Sequence, residues 1–156
     1  MTRKDVTFRL AAPEHVPEVH RMLIALAGHH ADEATITPDV LQRIAMQGPG
    51  ARLIVATLDD SPQRHPVGYA LLLLRPNMIT GTQAYIIDHL FVQEPLRHQG
   101  IGRALIEGAK KLALEEGRQG LTIGTHPEND AAIVAYRAMG LAELPQPGPR
   151  FAVEIA

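Results

Sequence analysis

Leu90-Phe91-Val92-Gln93-Glu94-Pro95-Leu96-Arg97-His98-Gln99-Gly100-Ile101-Gly102-Arg103 is the stretch on which the fold of this chain turns. It leaves an apolar strand pattern, crosses a proline, enters a glycine loop and opens a helical repeat. The helix predicted at about 101–116 carries Ile101, Leu105, Ala109 and Leu112 on one stripe, with Gly117 past its end. Glycines in such a loop allow positive φ and let a bulky anion approach the backbone amides. Amides at a helix start lack partners and carry partial positive charge, so a phosphate is favoured there. Arg97 and Arg103 add full charges. Two familiar phosphate loops fail on residues. A Walker loop ends Gly-Lys-Ser/Thr, whereas this one ends Gly102-Arg103-Ala104; a dinucleotide fingerprint needs glycine at the position of Leu105.

Outward from the loop, strands and helices interleave. Before it, 83–92 reads as a strand, preceded by strands at 52–58 and 67–75 across the polar turn Asp59–Pro66. Val6–Leu10 alternates as a first strand. Pro13 opens a helix with Val16, Val19, Leu23, Leu26 and Ala27 at helical steps, and Gly28 is its predicted end. Thr37-Pro38 is an N-cap with proline at the first helical position, opening a short helix through Ala45. After the loop, a strand is predicted at 121–125, a helix at 129–139 stopped by Gly140, and short strands at 141–144 and 151–155. No repeat, low-complexity tract or linker interrupts the pattern, so residues 1–156 read as one domain of mixed α and β structure.

Composition removes several kinds of chemistry. The chain has 156 residues with 46% apolar and 21% charged, ordinary values for a folded domain. Its net charge of -2 gives no pull toward nucleic acid or an anionic membrane. Cysteine is absent, so a thiolate nucleophile and a zinc knuckle are excluded. The only serine, Ser61, sits in a turn without Gly-x-Ser-x-Gly context, which excludes a serine hydrolase of that kind. The eight histidines are scattered, and no metal site is expected. The longest apolar run in mid-chain, Tyr69–Leu74, is far short of a membrane span, and Met1–Asp5 leads into no signal-like segment. A cytoplasmic location is the expectation.

A second motif follows: Asn129-Asp130-Ala131-Ala132-Ile133-Val134-Ala135-Tyr136-Arg137-Ala138-Met139-Gly140-Leu141. With the segment from Leu90 through Arg103, it resembles the GNAT superfamily of acyl-CoA N-acyltransferases. The match covers about residues 84–141, with both motifs in order and on the expected elements. Three positions depart from the family pattern. His98 stands where glycine is frequent, Leu141 replaces the usual Phe, and Gly124 lies in the strand before the second motif. The resemblance implies an α+β fold: a twisted, mostly antiparallel sheet of six or seven strands, opening at one parallel pair, with helices on both faces.

It also implies a ligand and roles. Acetyl-CoA would lie where the strands at 83–92 and 121–125 part, its pyrophosphate on the loop Arg97, His98, Gln99, Gly100, Ile101, Gly102 and Arg103. The backbone of Leu90, Phe91 and Val92 would pair with the thioester and pantetheine, the Leu90 N–H serving the developing oxyanion. Asn129 would bind the pantetheine, and Tyr136 would protonate the leaving thiolate. Asp88-His89-Leu90-Phe91-Val92 resembles a segment of diamine acetyltransferases, in which Asp88 takes the place of a carboxylate near the amine. By strict alternation Asp88 shares the parity of Leu90 and Val92, and His89 points to the opposite face. His89, His126 and water remain alternative bases.

The function these readings imply is N-acetyl transfer from acetyl-CoA to a primary amine. The acceptor is left open among a polyamine-like molecule, an amino sugar, an amino acid and a protein lysine or N-terminus. Acidic residues in His29-His30-Ala31-Asp32-Glu33 would suit a cationic amine. The alternatives are a non-catalytic acyl-CoA-binding or sensing module and a nucleotide-binding module. A homodimer through the segment Phe151–Ile155 is also expected.

Overall fold

The computed structural model describes residues 6–59 and 65–155. Met1–Asp5, Ala156 and residues 60–64, which include Ser61 of the predicted turn, lie outside the described residues. The chain divides into two units, one ending at Gly124 and one beginning at Thr125.

The first unit is built on five strands in the order β1-β2-β3-β4-β5. These are β1 (Val6–Leu10), β2 (Ala51–Leu58), β3 (Pro66–Asn77), β4 (Thr82–Val92) and β5 (Gly120–Ile123). Each of the first four pairs antiparallel with the next, and β4 pairs parallel with β5. A short 3-10 turn, Pro13–His15, leads into α1 (Val16–His29), which is followed by α2 (Pro38–Met46) and, after the glycine loop, by α3 (Ile101–Glu115). As predicted, the Thr37 hydroxyl caps α2 by accepting the Val40 N–H. Gly28 does not end α1; the helix runs one residue further and closes at His30.

Alternation along the strands divides the core into two layers. On one face Leu53, Val55, Tyr69, Leu71 and Phe91 pack with Val16, Val19, Met22, Leu23 and Leu41 of α1 and α2. The opposite parity brings Ile54, Ala70 and Leu72 to the side of α3, which buries Ile101, Leu105, Ile106, Ala109 and Ala113. Each large side chain buried completely, such as Leu72 or Leu105, contributes about 1.5–3 kcal/mol of transfer free energy.

Polar contacts tie the far end of α3 to the sheet. Arg52 of β2 donates from Nε and Nη2 to the two carboxylate oxygens of Glu116, at 3.3 and 2.9 Å. Tyr85 of β4 donates its hydroxyl to the same carboxylate at 3.0 Å. The helix cannot slide along the sheet without breaking this partly buried set.

Gly68 marks a tight approach between β3 and β4. A Cβ at this position would stand 2.8 Å from the Phe91 carbonyl oxygen and 3.4 Å from the Leu105 side chain. Backbone cannot yield as a side-chain tip can. Gly68→Ala is therefore expected to destabilise the protein by about 1–3 kcal/mol, read as a lower midpoint in a denaturant titration. An unchanged midpoint would show that the two strands can part here without cost.

The second unit holds α4 (Asp130–Ala138), whose N-cap Asn129 accepts the Ala132 N–H at its side-chain oxygen. The expected strands at 141–144 and 151–155 are not formed, so the sheet has five strands among the described residues rather than six or seven. Pro145, Pro147 and Pro149 lack amide donors and interrupt any ladder. Phe151, Val153 and Ile155 alternate as a strand should, yet they are 88, 83 and 95% exposed. Alternation alone does not make a strand without a partner edge.

Candidate active site

The site begins at an irregularity in β4. Leu71 lies opposite His89 and Leu72 opposite Ile87, which leaves Asp88 as the extra residue of a β-bulge. The bulge inverts the alternation. Before it, the Tyr85 side chain reaches Glu116 beyond the end of α3. After it, His89 and Phe91 meet Tyr69 on the opposite face. Strict parity, which set His89 apart from a site shared by Asp88, Leu90 and Val92, does not carry across position 88. Instead Asp88 and His89 are neighbours, with the carboxylate Oδ2 3.6 Å from Nε2.

Pairing also changes at this point. β5 accompanies β4 only from Ala84 to Ile87. Past the bulge, β3 covers one edge of β4, and among the described residues no strand pairs with the other. The Gln93 N–H donates to the Val67 carbonyl at 2.9 Å, which directs the backbone groups of Gln93 toward β3. By alternation, the backbone groups of Val92 and Leu90 face the open edge. The Arg97 Nε donates to the Val92 carbonyl at 2.8 Å, leaving the Leu90 N–H and C=O and the Val92 N–H directed outward.

The loop then turns sharply into α3. His98 adopts φ 63° and Gly100 φ 81°, both left-handed, so Gly100 is needed for the turn itself. The first intrahelical bond runs from the Ala104 N–H to the Gly100 carbonyl. The amides of Ile101, Gly102 and Arg103 therefore have no acceptor within the helix. No side chain caps this end, and its first turn holds no acidic residue, whereas α1, α2 and α4 carry Glu18, Asp39 and Asp130 there. Such an end is suited to an anion supplied from outside. Gly102 has ordinary φ, and a Cβ there would meet only Val92 Cγ2, at 3.9 Å. The protein's own packing does not call for glycine at 102. These features fit a pyrophosphate.

The remaining residues named from the sequence divide by role. Ile101 and Phe91 are 1% and 7% exposed and belong to the core, so their side chains are not open to a ligand. The Arg97 guanidinium stacks on Phe91 with its carbon 5.3 Å from the ring centre. That contact and the bond to Val92 make Arg97 a brace between strand end and loop. In the second unit the Asn129 side-chain oxygen is engaged by the Ala132 amide. The His126 Nδ1 accepts the Glu128 N–H. Burial pushes the Tyr136 phenol above its ordinary value.

One residue escaped the sequence reading. Tyr69 lies within the apolar run of β3, where nothing marks its hydroxyl as different from its neighbours. That hydroxyl is 3.1 Å from the His89 Nδ1. His89 is pushed below its ordinary value, first by burial and then by His30, against the opposing field of Asp88.

A mostly antiparallel sheet that opens beside an uncapped helix N-terminus makes this an α+β fold with unpaired amides next to the opening. The chain belongs to the Acetyltransferase (GNAT) family, which it matches over residues 18–141. It is 38% identical over 92 residues to the peptidyl-lysine N-acetyltransferase YjaB of Salmonella typhimurium, 59% of this chain and 51% of that protein. The match thus spans about half the length of that relative. Two of the solved structures that share the fold illustrate the likeness. One is a ribosomal-protein-alanine N-acetyltransferase from Brucella melitensis, with TM-score 0.73, 22% identity, and 94% and 99% of the two chains covered. The other is AAC(6')-Iy in complex with the bisubstrate analogue CoA-S-monomethyl-acetylneamine, with TM-score 0.79, 17% identity, and 98% and 100% covered. Among the described residues no helix is long and apolar enough to cross a membrane.

Proposed function

We propose that residues 1–156 form one acetyl-CoA-dependent N-acetyltransferase domain acting on a primary amine by direct attack. The observation that carries this reading is the uncapped α3 N-terminus, with a glycine at 102 that the fold does not require, beside the open edge of β4. On this reading the α3 amides hold the pyrophosphate, while Leu90 and Val92 pair with the pantetheine arm as an added strand would. The amine nitrogen attacks the thioester carbonyl, and the Leu90 N–H stabilises the charge that develops on its oxygen. The C–S bond then breaks, Tyr136 protonates the departing thiolate, and the amine loses its proton toward Asp88 or water.

A cationic amine suits Asp88, which is 49% exposed at the bulge. It also suits Asp32 and Glu33, which are exposed in the segment between α1 and α2. The similar proteins are a peptidyl-lysine N-acetyltransferase, a ribosomal-protein-alanine N-acetyltransferase and one bound to an acetylneamine bisubstrate analogue, so the test must span peptide, protein and amino-sugar amines. The protein is incubated with acetyl-CoA and a panel of polyamines, amino sugars, amino acids and lysine peptides. Thiol release is followed, and acetylated product is confirmed by mass. Release dependent on one class of amine is the expected result. Tight acetyl-CoA binding without release for any of them would make the chain an acyl-CoA-binding module instead.

Asp88→Asn preserves shape and removes the charge. With a good acceptor it is expected to raise the amine KM about ten-fold or more while leaving the acetyl-CoA KM unchanged. Wild-type constants for the acceptor in this variant would take Asp88 out of the site.

A further inference from the structure

We infer that Tyr69 and His89 are positioning residues for Asp88: the buried phenol selects the histidine tautomer, and the histidine directs its one remaining N–H at the carboxylate. The inference rests on the reading of Asp88 as the group that meets the amine. It deepens that reading by removing His89 from the candidates for general base.

The argument starts from a proton that has one place to go. Tyr69 is completely buried, and its hydroxyl lies 3.1 Å from the His89 Nδ1. The two rings meet edge to face, with centroids 6.0 Å apart and planes at 65°. Burial raises the phenol above its ordinary value, so it keeps its proton. A buried O–H left without an acceptor costs about 1–3 kcal/mol. The Nδ1 is its acceptor and must carry a lone pair. A neutral imidazole with a lone pair on Nδ1 holds its hydrogen on Nε2. The Nε2 is the atom that stands 3.6 Å from Asp88 Oδ2.

The surroundings keep the imidazole neutral. Tyr69 faces it from β3 and Asp88 from its own strand, while the field of His30 reaches it from the end of α1. Burial and His30 oppose a positive charge there, and Asp88 favours it. Protonation at Nδ1 would also set N–H against O–H and force the phenol to turn its hydrogen away. A histidine whose lone pair is engaged by Tyr69 cannot take a proton from an amine. It can donate, and the bulge places the carboxylate beside its donor. The substrate this arrangement favours is a protonated primary amine, recognised through a carboxylate with a histidine N–H beside it.

Nitrogen-15 NMR of the histidine side chains tests the tautomer directly. The imidazole signal that vanishes in His89→Gln is expected to show its lone pair on Nδ1 and its proton on Nε2. In Tyr69→Phe, which keeps the ring, the hydrogen bond that favours the neutral form is gone. His89 should then bind a proton at higher pH, read from the same nitrogen-15 signals. His89→Leu is expected to raise the amine KM about ten-fold with the acetyl-CoA KM unchanged. His89→Gln retains a side-chain donor and should recover most of that loss. A wild-type proton on Nδ1, or a His89→Gln enzyme as impaired as His89→Leu, would overturn the inference. If the protein acetylates no amine at all, the proposed function falls, while the tautomer measurement still decides whether Tyr69 controls His89.

Discussion

Tyr136→Phe is expected to lower turnover by about 10²–10⁴-fold while leaving acetyl-CoA affinity near its wild-type value. The substitution keeps the ring on α4 and removes only the hydroxyl, so any loss belongs to the proton that hydroxyl supplies. Burial displaces the phenol upward. The sign of that displacement matters, because an acid works only while protonated. A rate that depends on protonated Tyr136 falls as pH rises through its pKa, and a raised pKa moves that fall to more alkaline pH. The wild-type enzyme should therefore hold its kcat up to at least about pH 10, the ordinary phenol value. Single-turnover measurements of thiol release separate the chemical step from product departure. Full turnover in Tyr136→Phe would leave water as the donor.

Gly102→Val is expected to raise the acetyl-CoA KM on the order of 100-fold. Gly100 would be a poor choice for this test, because its φ of 81° strains any other residue whether or not a ligand binds. Gly102 has ordinary φ and room for a Cβ, so the unliganded protein should fold as before. A branched side chain there would instead stand over the amides of the first α3 turn. Loss of two hydrogen bonds to a charged ligand at about 1.5 kcal/mol each is roughly 3 kcal/mol, or somewhat over a hundred-fold in affinity. Equilibrium titration of acetyl-CoA with the variant, beside its thermal midpoint, tests this. Unchanged affinity with an unchanged midpoint would reduce the loop to a turn.

Local signals placed most of the elements correctly. β1 was read at its observed bounds, α2 from Thr37-Pro38, and α3 and α4 within a residue or two. These segments carry their own punctuation: a cap, a proline, an apolar stripe at the helical period. What escaped depends on partners distant in sequence. Tyr85, Ile87, His89 and Phe91 alternate without a break, so no local pattern reveals the bulge at 88; it arises because Leu71 and Leu72 of β3 take partners one residue out of step. Tyr69 became a candidate only through its contact with a histidine twenty residues away. The strand pattern at 151–155 was genuine as a pattern, but pairing is a property of two segments, and three prolines stand just before it.

The extra residue in β4 also decides how changes along that strand should be understood. From Ala84 to Ile87 the strand has neighbours on both edges and supports α3; from His89 onward it has one covered edge and lies against α1. One continuous ribbon thus answers to two different demands, with the boundary at a single amino acid. A substitution on the earlier side is judged by the melting curve, and one on the later side by the kinetic constants. Deleting Asp88 would make Ile87 and His89 successive residues opposite Leu72 and Leu71, so each half would keep the face it now has and the strand would lose only its bulge and its carboxylate.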